Sequence, residues 1–522
     1  MATPAPALLA YRDLRRTRRR RRLGDGQSVS DALYRAYLTV LFGTIAVVVV
    51  AGRLRSTPAS AAQTADAARY GPAVVGLLVA LVLAVGARSG VRGGPLAFDA
   101  ADVRHVLMAP VSRGRVLLPM ATRKLASWVV LGALVGGGSG FLASLRLPGG
   151  RVPWILCGAL FGICLGASTA GLAMLASGRR FPMAPVTAVS AVLVVWCVVG
   201  VATGSRITPF GIVADLALVP LTHHPWSFAV VVPAAALVVA GLLALPGLSI
   251  ERAGHRADLG GRIRFGLATR DIRAVIVVSR ALAQERPRQR TRWRLAPGTG
   301  QRLAVVKRDA QGVLRWPNAR ILRVAGLGLL AGLAARGVWS GLVVLALPGG
   351  LVLWLAGVDA AEGLADEAEH GARSKGYPVP EGTLVLRHVV VPVVVLVAAG
   401  LVGMFGAGLV GWNVRIAAVG AVVLLPAAAA GLAAGMVTDL RGAPNPFGLA
   451  GVFGPPEIGG MVALVREGLP PAMAVCAFVP VWRAGAALGH TPGPLSVAVQ
   501  WAWVPLVPCL CALAWAVKRG LR

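Results

Sequence analysis

The 522-residue chain is 56% hydrophobic, has only 14% charged residues and reaches a mean hydropathy of +0.71. A soluble domain usually carries about a quarter charged residues, so this composition excludes an ordinary soluble protein and indicates a membrane protein. The formal net charge of +32 could serve nucleic acids, lipid headgroups or membrane topology, and the placement of the charges distinguishes these roles.

Long apolar runs recur along the whole chain. A helix needs about 20 mainly apolar residues to cross the hydrocarbon core of a bilayer. The sequence predicts twelve such spans, and the first six are 33–52, 70–87, 126–145, 153–176, 183–202 and 226–247. The second six are 322–336, 338–357, 389–410, 413–436, 462–482 and 496–517. The predicted fold class is therefore an all-α polytopic membrane protein with about 12 transmembrane helices.

The predicted organisation has four parts. They are a basic cytoplasmic N-terminus (1–32), a first six-span half (33–247), a basic cytoplasmic linker with a lead helix (248–320) and a second six-span half (321–522). The eleventh span is the least regular, because Arg466 and Glu467 are adjacent within it. Intramembrane charge is costly, so we favour a re-entrant or interfacial segment over 447–470, with the span starting after Pro471.

The basic residues predict the orientation of the chain, because cytoplasmic loops are enriched in Lys and Arg. With the N-terminus inside, 42 of the 53 basic residues fall in inner segments and 9 in outer loops. Both termini are therefore predicted to be cytoplasmic. The run RRTRRRRR at 15–22 is interpreted as a topology determinant beside an anionic leaflet, and we expect the lipid bilayer, not nucleic acid, as its partner. The Arg-, Ala-, Gly- and Pro-rich composition favours a bacterial source, and hence a multi-pass protein of the bacterial cytoplasmic (plasma) membrane.

Two loops share a pattern that predicts an internal duplication. PVSRGRVL at 110–117 follows the second span of the first half, and PVPEGTLV at 378–385 follows the second span of the second half. Both fit Pro-Val-x-x-Gly-x followed by two residues that are Val or Leu. Because an even number of spans separates them, the two six-helix halves are predicted to be parallel repeats.

The first of these loops also has a mechanical interpretation. Pro110 is expected to end or bend a helix through AADVRHVLM, and SRGRVLLPMATRKL is expected to begin a short helix at the membrane face. Its predicted polar surface consists of Arg104, His105, Arg113 and Arg115, and its apolar surface of Val106, Leu107, Val116 and Leu117. An external motor could push on the spans through such a helix. The alternative is a loop whose arginines reach lipid phosphates, and the residues alone favour neither.

Three segments resemble parts of one known family. DVRHVLMAPVSRGRVLLPMATRKL at 102–125 resembles the loop between spans 2 and 3 of exporter-type (type 2) ABC transporter permeases. VVKRDAQGVLRWPNARIL at 305–322 is similar to the basic lead into the first span of these permeases, and ITPFGIVADLALVPLTHHPW at 207–226 to the Pro-rich outer segment before their last span. The resemblance implies a permease with two fused six-span halves, with ATP bound by a separate ABC ATPase subunit present in two copies.

The resemblance also assigns an ATPase-contact loop. Its residues are Arg104, His105, Pro110, Val111, Ser112, Arg113, Gly114 and Arg115. The equivalent residues of the second half are Pro378, Val379, Glu381 and Gly382. The second loop lacks the Ser-Arg pair and carries Glu381, so the two contacts are expected to be unequal.

Motifs for chemistry within the chain are missing. The sequence has no G-x-x-x-x-G-K-[ST] loop, nucleophile elbow, HExxH or Cys-His grouping, so we expect no enzyme, no catalytic or metal-binding residue and no cofactor in this chain. His223 and His224 are interpreted as outer-loop surface, since adjacent side chains diverge. The acidic stretch DAAEGLADEAE at 359–369 is predicted to be a solvated helix or a docking face for a partner.

Regularly spaced glycines predict close helix packing. They are Gly132, Gly136 and Gly140 in the third span, and Gly158, Gly162 and Gly166 in the fourth. Small residues on one face bring helices together in lipid, where no hydrophobic force drives association. We therefore favour a packed hairpin of spans 3 and 4 over a substrate path.

Three functions remain open at this point. The first is an ABC-type export permease. The second is a 12-span secondary transporter, which the scarcity of ionisable residues in mid-span disfavours. The third is a non-transporting membrane scaffold that recruits partners through basic loops. Lipid, peptide, antibiotic and ion cargo all fit the charge-poor interior, and we favour an exported amphiphile.

Overall fold

The structure, a computed structural model, describes most of the chain. The described residues are 59–94, 96, 100–109, 112–205, 207–268, 303–369, 379–409, 414–441, 468–487 and 493–519, with isolated positions 13, 16, 17, 51, 52, 293 and 376. These residues are 87% helical and contain no strand. Eleven of their helices are long and apolar enough to cross a membrane. The protein is an all-α, multi-pass membrane protein, and this part of the predicted fold class is confirmed.

The eleven helices correspond to eleven of the twelve predicted spans. The remaining predicted span, 33–52, lies outside the described residues apart from its last two positions. The eleventh predicted span is a helix over Gly468–Ala486. The pair Arg466–Glu467, on which the re-entrant interpretation depends, precedes this helix and lies outside the described residues.

The chain forms two compact units, Met1–Gly261 and Arg262–Arg522. The division falls inside the segment 248–320 that the sequence assigns to a linker. The middle of the linker, 269–302, is outside the described residues, with Trp293 as the exception.

The first unit is a bundle around one central helix. Its helices are α1 (Ala61–Val91), α2 (Ala100–His105), α3 (Arg113–Ser144), α4 (Arg151–Gly178), α5 (Met183–Thr203), α6 (Gly211–Thr222), α7 (Val231–Ala244) and α8 (Ile250–Ala268). Short 3₁₀ turns, Pro225–Val230 and Leu245–Gly247, extend α7 at both ends. The central helix is α4, which packs against α1, α3, α6 and α7.

The second unit has a similar succession of helices. They are α9 (Ala304–Leu314), α10 (Asn318–Trp339), α11 (Ala346–Ala360), α12 (Glu362–Glu369), α13 (Glu381–Leu409), α14 (Val414–Leu440), α15 (Val479–Ala486), α16 (Pro494–Trp501) and α17 (Trp503–Arg519). The residues 468–476 before α15 are also helical. In this unit α14 packs against α11, α13 and α17, and its small side chains form the centre of the core, with Ala427, Ala430 and Ala434 fully buried.

Two predictions about the loops are wrong. The segment after Pro110 is not a separate short helix, because α3 runs without interruption from Arg113 to Ser144. Pro119 lies inside α3 but interrupts only the bond to the carbonyl of Arg115, close to the exposed start of the helix. The acidic stretch 359–369 is not a solvated helix either, because most of its described residues are buried, among them Asp359 and Glu367.

Candidate functional site

The candidate site in the first unit is the turn that leads into α3. Pro110 and Val111 lie outside the described residues, and Ser112 occupies the N-cap position. The Ser112 carbonyl accepts hydrogen bonds from the backbone N–H groups of Arg115 at 3.1 Å and Val116 at 3.4 Å. The α-helix therefore begins directly after Ser112, and Arg113 and Arg115 lie in its first turn.

This turn has one buried side and one exposed side. Val106, Leu107, Val116 and Leu117 are at most 8% exposed, and they cluster with the end of α7 and the start of α8. The polar side chains are exposed, namely those of Arg104, His105, Ser112, Arg113 and Arg115. This is the division between apolar and polar faces that the residue pattern predicts. The turn therefore has a basic surface above a buried apolar layer, and we call this layer, formed by Val106, Leu107, Val116 and Leu117, the apolar base.

These buried residues pack against the 3₁₀ turn Leu245–Gly247 at the end of α7. Gly114 faces Pro246, and a Cβ at this glycine would lie 3.4 Å from the Pro246 Cγ. Leu245 and Leu248 on either side of Pro246 are both 2% exposed and belong to the same apolar cluster. A displacement of the turn would therefore move the end of α7 with it.

Arginines of α8 tie the end of α1 to this base. Arg252 donates to the Val91 carbonyl at 2.9 Å, and Arg256 donates to the Ser89 carbonyl at 2.9 Å and to its hydroxyl at 3.1 Å. These bonds satisfy carbonyls at the C-terminus of α1 that have no partner within the helix. Burial of Arg256, and to a lesser extent the nearby charge of Arg92, lowers the pKa of the Arg256 guanidinium. The guanidinium still stays charged at neutral pH, because the ordinary pKa of arginine is far above 7.

The second unit has an equivalent turn at the start of α13. Pro378 lies outside the described residues, and Val379 is half-buried. The Pro380 carbonyl accepts hydrogen bonds from the N–H groups of Thr383 at 2.9 Å and Leu384 at 3.1 Å. Gly382 is close to the last helix of its unit, since a Cβ there would lie 2.7 Å from the Val517 carbonyl oxygen of α17.

The second turn presents a different surface from the first. Its first helical residue is Glu381 where the first turn has Arg113, and Glu381 is half-buried. The two apolar residues of the pattern, Leu384 and Val385, are 1% and 0% exposed. The apolar base is thus the same in both turns, and the charge on top of it differs.

Two close polar contacts join α9 to the helices before and after this second turn. Arg308 lies 2.7 Å from Glu367, and the Nδ1 of His388 lies 2.6 Å from the Oδ2 of Asp309. Asp309 and Glu367 are at most 7% exposed, and the His388 side chain is fully buried. These contacts join α9 to α12 and α13, because each acidic group lies on a different helix from its basic partner.

A second set of pairs anchors the start of α10 to the acidic stretch. Arg320 pairs with Glu362, and Arg323 lies 2.5 Å from Asp359. The Arg320 guanidinium also lies over the Trp316 ring, 4.0 Å from its centroid. The acidic residues that the sequence suggested for a docking face are therefore engaged with arginines of their own unit.

The predicted packing glycines lie between α3 and α4. A Cβ on Gly132 would overlap the Gly162 carbonyl oxygen, and a Cβ on Gly136 would overlap that of Gly158. Gly140 is equally close to the Trp154 carbonyl, and Gly166 to the Trp128 carbonyl. The two helix backbones thus touch along most of their length, which only glycine permits.

The two histidines at the end of α6 do not form a cluster with other ligands. His223 ends the helix in the left-handed region with a φ of 53°. Across the described ranges, no three His, Cys, Asp or Glu side chains are placed to hold a metal ion.

Comparison with known proteins adds no relative. No protein-family model matches the sequence, and no curated protein matches it either.

Proposed function

We propose that this chain is the membrane-spanning permease subunit of an ABC-type export system, in the bacterial cytoplasmic membrane. ATP would be bound and hydrolysed by a separate ABC ATPase subunit, present in two copies, that contacts the turns before α3 and α13. The observation that carries the proposal is the match between these two turns, each of which begins a long helix and lies against the end of the sixth predicted span of its half.

The two turns agree in backbone detail as well as in sequence. Arg113 and Glu381 begin the two long helices at the same position of the shared pattern. The carbonyls of Ser112 and Pro380, one residue earlier, accept the same pair of backbone hydrogen bonds. The two turns share sequence pattern, helix start and the burial of the two apolar residues that follow, and this combination supports a duplicated functional element.

The helix contacts within each unit support the same duplication. In the first unit α4 packs against α1, α3 and α7, and in the second unit α14 packs against α11, α13 and α17. These three partners occupy corresponding places in the order of spans. The contacts favour two six-span repeats. The even number of predicted spans between equivalent helices favours the same direction through the membrane, and the basic loops favour a cytoplasmic position for both termini.

The length of α3 suits the transmission of force. Its 32 residues extend about 48 Å, whereas the hydrocarbon core is about 30 Å thick. About a third of the helix would therefore project from the membrane and carry Arg113 and Arg115 at its end. A motor that moved this end would move the span itself, because no loop separates the two.

Affinity purification tests the proposal. The native chain would be isolated from its own membranes by gentle solubilisation, and the proteins that stay bound would be identified by mass spectrometry. We expect an ATP-binding-cassette subunit with the native chain and a loss of most of it with Arg113→Glu/Arg115→Glu. The matched control is Arg151→Glu, which changes an exposed arginine at the opposite end of the α3–α4 hairpin.

Two results would contradict the proposal. If no ATPase is retained with the native chain, the basic turn is a lipid-facing loop, and a secondary transporter or a scaffold becomes the better explanation. If Arg151→Glu removes the ATPase as fully as the double variant, the contact does not depend on the turn.

A further inference from the structure

One end of the second unit carries an arginine between tryptophan rings. The guanidinium carbon of Arg483 lies 4.9 Å from the ring centroid of Trp482 and 4.5 Å from that of Trp501. Trp501 in turn stacks on Trp503, with centroids 6.2 Å apart and planes 24° from parallel. We refer to Trp482, Arg483, Trp501 and Trp503 as the Arg483 cluster.

Packing of α15 turns Trp482 and Arg483 outward. Pro480, Val481 and Ala484 on the opposite face of α15 are buried. The Trp339 indole donates a hydrogen bond to the Val481 carbonyl at 2.6 Å, which fixes the helix from the inside. The cluster is thus held on a rigid element.

A break between two helices brings the other two rings together. Side chains two residues apart diverge on a continuous helix. Trp501 ends α16 and Trp503 begins α17, with a turn at Ala502 between them, so both indoles can stack on the same side as Arg483.

The hydrogen-bonding groups of Arg483 are available. A guanidinium has five N–H donors. Among the described residues, the Arg483 guanidinium contacts the two indole rings and has no hydrogen bond or ion pair with the protein. Trp482 and Trp503 are 39% and 59% exposed, so aromatic surface adjoins the donors. The cluster contains one cation and no acidic side chain.

The position of the cluster matches the boundary between headgroups and acyl chains. Arg483 lies in the last turn of the span Gly468–Ala486. Trp501 lies seven residues after the start of the span Pro494–Lys518, which is about 10 Å along a helix. Tryptophan is enriched at this depth in membrane proteins because its ring is apolar and its N–H is polar.

We propose that the Arg483 cluster binds the headgroup of an anionic phospholipid. Arginine pairs with phosphate through two parallel hydrogen bonds, and the flanking indoles hold the guanidinium plane so that its N–H edge faces outward. The exposed indole of Trp503 covers the glycerol and upper acyl chain. With the predicted topology this site faces the outer leaflet. The site is independent of the proposed export function.

Lipid binding to the purified, delipidated chain tests this site. Native mass spectrometry would count bound phosphatidylglycerol, phosphatidylcholine and inorganic phosphate at matched concentrations. In Arg483→Gln, the affinity of this site for phosphatidylglycerol should fall about tenfold or more, as expected for loss of a charged hydrogen bond. At concentrations that fill the site in the native chain, the variant should therefore bind one lipid fewer. Trp501→Phe, which keeps an aromatic ring, should weaken it less.

The matched control is Arg69→Gln, since Arg69 is an exposed arginine over the ring of Tyr70, 5.3 Å from its centroid. It should bind phosphatidylglycerol as the native chain does, and thermal unfolding should show that both variants are folded. Equal binding by Arg483→Gln and the native chain would overturn the proposal. If the native chain binds phosphatidylcholine as tightly as phosphatidylglycerol, the site does not select an anionic headgroup. If inorganic phosphate displaces all of the phosphatidylglycerol from this site, the ligand is a free anion and not a lipid.

Discussion

At the residue scale, several acidic side chains of the second unit are buried and lie against basic side chains of other helices. His388 on α13 is fully buried, and its Nδ1 lies 2.6 Å from a carboxylate oxygen of Asp309 on α9. An isolated charge in such surroundings costs several kcal/mol, and removal of one partner leaves the other uncompensated. Together with the contact between Arg308 and Glu367, this pair holds α9 against α12 and α13.

Replacement of His388 by Ala should destabilise the protein by about 2 kcal/mol, because it removes the 2.6 Å contact of the buried Asp309 side chain, whose other basic neighbour, Arg308, lies at 3.7 Å. Thermal or denaturant unfolding in detergent would measure the change. His105→Ala is the matched control, since His105 is exposed and its loss should change stability by no more than about 0.5 kcal/mol. Similar losses for the two variants would mean that the Asp309 pair contributes nothing specific.

Sequence reasoning could predict the exposed residues but not these pairs. Arg113 and Arg115 stand out because they interrupt apolar sequence, and their exposure follows from the alternation with Val116 and Leu117. Asp309 and His388 are 79 positions apart, and no local pattern joins them. For the same reason the acidic stretch 359–369 looked solvated, since its arginine partners come from α9 and α10.

At the scale of elements, the α3–α4 hairpin depends on backbone contact. Gly132 and Gly162 face each other so closely that a methyl group on either would overlap the opposite carbonyl. Close approach of this kind supplies the van der Waals contact that holds helices together in lipid.

Gly162→Ala should therefore destabilise the hairpin, by about 2 kcal/mol, through forced separation of the two helices. Gly138→Ala is the matched control in α3, because nothing lies within 4 Å of a Cβ there. It should be neutral or stabilising by up to about 1 kcal/mol, since Ala favours a helix more than Gly does. Comparison of thermal unfolding for both variants tests this, and an equal effect of the two would contradict the packing interface.

Helices were easier to predict than their ends. Apolar runs of about 20 residues located the spans, because lipid imposes both length and composition. The start of α3 at Arg113 was missed by 13 residues, since the predicted span 126–145 counted only its apolar part. Basic residues and a proline continue the helix beyond its apolar part, where hydropathy does not predict where the helix begins.

At the scale of the whole molecule, the proposed duplication predicts which side of the membrane each turn faces. If the two units are parallel repeats, Arg113 and Glu381 lie on the same, cytoplasmic side, and Arg151 lies on the other. Positive charge in the loops leads to the same assignment.

Single cysteines at 113, 381 and 151 test this topology with a membrane-impermeant maleimide. We expect labelling at 113 and 381 only in inside-out vesicles and at 151 only in right-side-out vesicles. The native cysteines, most simply free thiols within the apolar helices, set the background, which the unsubstituted chain measures. Labelling of 113 and 381 from opposite sides would contradict parallel repeats.

Photo-crosslinking from the two turns tests the central claim most directly. A photoreactive amino acid would replace Arg113, Glu381 or, as control, Arg151, and crosslinks would form in intact membranes. The export-permease proposal predicts a crosslink to an ATP-binding subunit from 113, a weaker one from 381 and none from 151. Crosslinks from 113 and 381 to lipid alone, with no ATP-binding protein, would contradict it.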